Sequence, residues 1–401
     1  VRIGERIAYY RHRRGLSQAE LAGHLGRTPA WLATLEGGAR PVDRWATLIK
    51  IAAVLQVHVR DLVGQPFLLE LAADGRRGGT RAVRDALLRS RVTAGSLDTP
   101  DRGQPRELPH LRARVTLASR LWQAARYAEL GAVLPVLLED VRLATDRSAG
   151  DDRRAASGLL AESYQVTAGL LTRLGETDLA WAATERAIAA AEHADDPLLT
   201  TAGVWHLTGV LLGSGRPREA TDVALATADR ATADDADAPE RLSLLGALLL
   251  DAATAAAVQD DRAGAGELLG RAAAVARRLG ADRNDLWTLF GPTAVALQAV
   301  TVAVELGDGT IALERARAVD PAPLPSLARR ARHAIDVARA HTQTGRDAAA
   351  AASLLQAGRL APEEVRYQPL ARELLRYLLQ RQHPILPAEL RALAEQVGVL
   401  G

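Results

Sequence analysis

Arg11-His12-Arg13-Arg14-Gly15-Leu16-Ser17-Gln18-Ala19-Glu20-Leu21-Ala22 reads as a helix end, a tight turn and a helix start. Gly15 closes a helix of about Arg2 to Arg14, whose Ile3, Ile7 and Tyr10 share a face. Ser17 caps the next helix, and Glu20, three residues on, completes a capping box. Leu21, Ala22 and Leu25 are its apolar face, and Gly26 supplies the turn after it. Thr28 caps a third helix with Pro29 at its first position, where a missing N–H is harmless. Leu32 and Leu35 face inward, and Gly37-Gly38 stop the helix. Trp45, Leu48, Ile49, Ala52 and Leu55 recur at helical spacing on a fourth helix, and Val59, Leu62 and Val63 mark a short fifth.

This order of residues, with Leu25-Gly26, Leu35-Glu36, Gly38 and the tail from Leu48 to Leu62, resembles the phage-repressor (XRE-type) helix-turn-helix family. The resemblance covers about one-sixth of the chain. It implies that Arg11 and Glu36 form a buried, structural ion pair. It implies that Gln18 touches the phosphate backbone, and that Thr28, Pro29, Ala30, Trp31 and Thr34 occupy the groove-facing positions of the recognition helix. Arg40 would reach a phosphate or the minor groove. A helix N-terminus with amide and guanidinium donors suits phosphate, and a helix fits the major groove. Pro29, Ala30 and Ala33 depart from the family's polar residues and cannot make bidentate base contacts. Readout would then rest on Thr34, on thymine methyls against Ala30 or Trp31, and on DNA shape. Gln56 stands where the family has glycine before its last helix.

Charge is uneven along the 401 residues. Net charge is +2, but residues 1–66 hold ten basic and five acidic side chains, and the remainder 40 basic and 43 acidic. A basic small unit on a slightly acidic larger one points to a polyanion for the first only. Cysteine is absent, which excludes disulfides, zinc ribbons, iron–sulfur clusters and thiol nucleophiles. Lys50 is the sole lysine and follows Ile49, so no G-K-[ST] phosphate loop exists. The bias to Arg, Ala, Gly and Leu resembles that of a GC-rich, actinobacterial coding sequence. Five arginines in the first 15 residues leave no room for a secretory signal, and the uncharged window from Trp287 to Val304 contains breakers and reads as a buried helix pair. A cytoplasmic location with no membrane partner is expected.

Three parts are expected: 1–66, a linker over 67–110 with one helix at Thr80 to Arg91, and 111–401. Breakers at Gly75 to Gly79 and Thr99 to Gly103 flank that helix. From 111 on, a turn residue is followed five positions later by a small residue, at Gly175/Ala180, Gly215/Ala220, Asp260/Ala265, Gly307/Ala312 and Gly345/Ala350, with a weaker copy at Gly131/Val136. The second members are spaced by 44, 40, 45, 47 and 38 residues. Polar breaks such as 194–197, 233–239, 280–283 and 320–325 separate the units. Stacked helical hairpins share a core and curve into a superhelix with a concave face. The expected fold class is all-α.

The repeats resemble a lengthened, degenerate tetratricopeptide array, with Gly345, Ala350 and Pro362 the best copy. A repressor-type unit fused to such an array resembles signal-responsive regulators of Gram-positive bacteria. That architecture implies a homodimer on an operator and a peptide or small-molecule effector on the concave face. Tyr164, Gln165, Trp205, His206, Thr254, Gln298, Thr301 and Arg339 are the candidate effector contacts. Arg332 and Arg339 are also candidates for ion pairs with Asp336. An array that only dimerises or docks a protein is the alternative, as is a scaffold without DNA binding. No H-E-x-x-H, G-x-S-x-G or strand-borne G-x-G-x-x-G occurs, so neither enzyme activity nor a cofactor or metal is expected. His58, His110 and His333 read as surface residues. Asp195-Asp196, Asp234-Asp235 and Asp260-Asp261 read as helix caps.

Overall fold

The computed structural model describes residues 2–64, 79–88, 106–231, 238–381 and 388–400. Its first five helices are α1 (Ile3–Arg13), α2 (Gln18–His24), α3 (Pro29–Glu36), α4 (Trp45–Leu55) and α5 (Val59–Val63). The expected caps set these limits. Ser17 Oγ accepts from the Glu20 amide at 3.2 Å while Glu20 accepts from the Ser17 amide at 2.7 Å. Thr28 Oγ1 accepts from the Trp31 amide at 3.2 Å. Ile3, Ile7, Leu21, Leu32, Leu35, Leu48, Ile51, Leu55 and Leu62 make one core. Gly4 lets α1 cross α3 closely, because a Cβ there would lie 2.3 Å from the Leu35 carbonyl oxygen. Gln56 takes the left-handed conformation that a glycine would have supplied, at φ 53°.

The rest of the described chain is helical hairpins. After α6 (Gly79–Leu88) come α7 (Leu108–Gln123), α8 (Tyr127–Arg147), α9 (Gly150–Arg173), α10 (Thr177–His193), α11 (Pro197–Gly213) and α12 (Pro217–Ala231). Then follow α13 (Pro239–Val258), α14 (Arg262–Leu279), α15 (Pro292–Glu305), α16 (Gly309–Arg317), α17 (Leu327–Gln343) and α18 (Asp347–Leu360). The chain finishes with α19 (Pro362–Tyr367), α20 (Pro369–Gln380) and α21 (Ala388–Gln396). No strand occurs among the described residues, which hold one isolated bridge, Arg283 with Phe290.

Sequence and structure agree on the turns with one exception. Gly175, Gly215, Asp260, Gly307 and Gly345 all have left-handed φ, and Ala180, Ala220, Ala265, Ala312 and Ala350 are buried where the paired helices meet. Gly131 is not a turn but lies inside α8. The first turn is at Ala125 (φ 54°), with Leu130 as its buried second member. The alanine hid it, since a turn alanine carries no sequence signal.

Other expectations are corrected too. The 287–304 window is a single helix, α15, preceded by a loop in which Leu286, Trp287 and Leu289 all have positive φ. Phe290 pins that loop by packing on Gly246, where a Cβ would meet the ring at 1.9 Å. His333 is half-buried rather than on the surface. Asp196 and Asp261 do cap helices. The expected linker breakers over 75–78 and 99–103, the break at 233–237 and Asp234-Asp235 lie outside the described residues. Helix α13 is long and apolar enough to cross a membrane, but 83% of its apolar window is buried inside the array, as a core helix is.

The array closes on itself. Helix α7 of the first hairpin packs against α17 of the sixth, and one apolar cluster runs from Val83 through Leu130 and Leu171 to Leu354 and Leu390. Polar bonds seal the seam. Ser326 Oγ donates to the Gln123 carbonyl at 2.9 Å, and the Gln123 and Asn284 amides bond reciprocally at 3.0 and 3.1 Å. Tyr127 donates its hydroxyl to Glu364.

Candidate nucleic-acid interface and the chamber behind it

On the N-terminal bundle, Arg11 and Glu36 form the expected buried pair. Arg11 Nε lies 2.7 Å and Nη2 2.9 Å from the two carboxylate oxygens, and Nη1 donates to the Leu16 carbonyl at 2.9 Å. The pair ties the end of α1 to the end of α3 and fixes the angle of the third helix. Gln18 joins it, donating to Glu36 at 2.7 Å, so this amide is half-buried in the network.

Helix α3 presents Thr28, Pro29, Ala30, Ala33 and Thr34 to solvent. Trp31 is half-buried against the bundle core, with the Arg27 guanidinium 5.5 Å from its ring centroid. Thr34 Oγ1 donates to the Trp31 carbonyl at 2.8 Å, which leaves its lone pairs outward. Arg13, Arg14, Arg27 and Arg40 are exposed and have no carboxylate partner among the described residues. These four are the cations left for an outside anion.

The other basic residues look the opposite way. Arg44 and Lys50 both bond Asp260 at the fourth hairpin turn, and Arg60 Nη1 lies 3.1 Å from Asp178. Val59 covers the Gly215 turn, and Arg44 lies over the Gly307 turn. The bundle therefore sits on a row of hairpin turns through α4 and α5, with α3 outward. The local excess of positive charge is divided between the array and solvent.

Arg339 anchors this seat. It is 2% exposed, donates to the Asp43 carbonyl, and is neutralised by Glu305 at 2.6 Å and Asp336 at 2.8 Å. Glu305 also accepts from the Trp45 amide at 3.0 Å, and its own backbone carbonyl takes Arg44 Nε at 2.6 Å.

Behind the seam is a chamber of about 430 Å³, lined by the first helix of every hairpin, with Trp45 of the N-terminal bundle also in its lining. Six of the eight proposed effector residues meet there: Trp205, His206, Thr254, Gln298, Thr301 and Arg339. Gln298 donates to Thr254, and Thr301 to Asp336 at 2.7 Å. Burial holds the His206 imidazole neutral, lowering its pKa to about 4. Two residues do not join them. Tyr164 lines a separate pocket with Arg186 and His193, its hydroxyl accepting from Arg142, and Gln165 donates to the Leu199 carbonyl at 3.1 Å. Five residues before the lining Gly169 put Tyr164 on another side of α9, while four put Gln165 on the same side but a turn further along the helix.

Arg332 pairs with Glu364 at 2.5 Å rather than with Asp336. Asp251, Arg329 and Trp287 also line the chamber and were not singled out in the sequence. Asp260 was, but as a cap. Its signal was its departure from the repeat: five of the six turns read from the sequence carry glycine, and this one an acid.

Residues 2–63 match the family model of a helix-turn-helix domain. No curated protein matches the chain. The crystal structure of Bacillus thuringiensis PlcR in complex with the peptide PapR7 and DNA is similar over 88% of this chain and 98% of that one, at 13% identity and a TM-score of 0.34. The chain thus carries a helix-turn-helix domain ahead of an all-α array of helical hairpins.

Proposed function

We propose that this chain is a sequence-specific DNA-binding transcriptional regulator of the cytoplasm, acting as a homodimer and controlled by an effector held in the array. It is a binding protein, not an enzyme. The observation that carries this reading is the orientation of the helix-turn-helix domain. Its third helix and four unpaired arginines point outward, while its other basic face is spent on the array. Gln18, Thr28, Pro29, Ala30, Trp31, Thr34 and Arg40 form the DNA face in this reading, with phosphate contacts setting position and few polar base contacts setting sequence. In a homodimer two such helices would enter successive major-groove faces, about one helical turn apart or a multiple of it. The effector, a peptide or small molecule, would act by favouring one placement of the two domains over another.

The test is selection of bound fragments from the source genome at low ionic strength, followed by affinity against salt. Enrichment of a defined fragment, with affinity falling steeply as salt rises, is expected. Equal retention of all fragments would overturn the reading.

A further inference from the structure

Two half-buried charges in the chamber make no direct ion pair among the described residues, although each lies in the other's field. Arg329, on α17, gives Nη1 to the Leu289 carbonyl at 3.1 Å and Nη2 to the Thr288 carbonyl at 2.9 Å. No carboxylate lies within ion-pair reach of it among the described residues. Asp251, on α13, accepts from Thr208 Oγ1 at 2.7 Å and from the Trp205 indole, and no cation bonds it. The other guanidiniums around the chamber are matched. Arg173 and Arg332 share Glu364, and Arg339 has Glu305 and Asp336. Unpaired charge held away from water is unfavourable, and both groups respond to it. Burial raises the Asp251 carboxyl to about 6 against the pull of Arg329 and Arg332; burial and Arg332 lower the Arg329 guanidinium to about 10 against the pull of Asp251.

Opposite charges thus face one space without touching each other. The same space is lined by the indoles of Trp205 and Trp287 and by Thr254 and Gln298. The volume sits near the lower end of small-molecule sites, about 300–1,000 Å³.

We propose that the chamber takes a compact zwitterion of amino-acid type. Its carboxylate binds Arg329, its ammonium binds Asp251, and its apolar side chain lies against the indoles. The proposal rests on the effector reading and narrows it. Because Trp45 belongs to the helix-turn-helix domain, a ligand in this space abuts the part of the protein that must respond.

Calorimetry on the full chain with four matched indoles tests it: L-tryptophan, indole-3-propionate, tryptamine and 3-methylindole. Tryptophan should bind most tightly, and loss of either charge should weaken binding at least about tenfold. Arg329→Gln should remove the advantage of the carboxylate, leaving tryptophan and tryptamine equal. Asp251→Asn, which keeps the side-chain shape, should remove the advantage of the ammonium. A singly charged or neutral indole binding wild type as well as tryptophan would overturn the zwitterion and leave effector control standing. Failure of all four up to about 10 mM would overturn it as well, and fragment selection would show separately whether DNA binding survives.

Discussion

Arg339 and Asp43 stand 296 residues apart, yet the guanidinium of one donates twice to the backbone carbonyl of the other, from Nε at 2.8 Å and Nη2 at 2.6 Å. The helix-turn-helix domain is thereby held at the loop before α4. That loop reaches the same Glu305 that neutralises Arg339. A carbonyl cannot be altered by substitution, so the contact is robust on one side and depends wholly on the arginine on the other.

Arg339→Gln should cost about 3–5 kcal/mol, because Glu305 and Asp336 would remain buried without their cation. Urea unfolding of the full chain measures this. Asp260→Ala should cost only about 1 kcal/mol or less, since that site is partly exposed. It should nevertheless speed hydrogen exchange across α4. Unchanged exchange there would deny Asp260 a part in seating the domain.

Asp251 gives a pH signature. Its carboxyl titrates at about 6 in the folded chain against 3.8 when free, so the native state binds the extra proton and stability falls as pH rises from about 4 to 6. Asp251→Asn should therefore raise stability near pH 7 by up to about 3 kcal/mol, the gain vanishing below about pH 4. His206 contributes the opposite slope, because its pKa is lowered to about 4. The difference between variant and wild type across a pH series cancels that contribution.

On the DNA face, Arg40→Ala should reduce the slope of log affinity against log salt by about 0.9 per phosphate released. Gln18→Ala removes no charge. It should weaken binding evenly across sequences with the slope unchanged, and cost about 1 kcal/mol of stability through its lost bond to Glu36. Thr34→Ala should change base preference at one position; an identical preference would remove Thr34 from readout.

Gln56→Gly should stabilise the chain by up to about 1 kcal/mol, since a non-glycine residue at φ 53° bears a left-handed penalty. A lower thermal midpoint would show that the glutamine makes a compensating contact.

The helix-turn-helix domain was legible because its signals are local. Gly15, Ser17, Glu20, Thr28 and Pro29 act on backbone within three or four residues. The hairpin turns were legible where glycine marked them and lost at Ala125. The chamber was half legible. The inward face of each first helix follows from periodicity, which found Trp205, Gln298 and Arg339. It missed on α9, where Gln165 stands one turn before the lining residue Gly169 and Tyr164 lies on another side of the helix. The seat of the domain on the array was illegible, because Arg44 with Asp260 and Arg339 with Asp43 join residues more than two hundred positions apart.

A linear solenoid frays from its two tips, and each unit leans only on its neighbours. Here the Gln123–Asn284 and Ser326–Gln123 bonds turn the solenoid into a hoop. A hoop has no tip from which to unravel. Any widening at one hairpin must be shared around the circumference, and it reaches the seated domain from both directions at once.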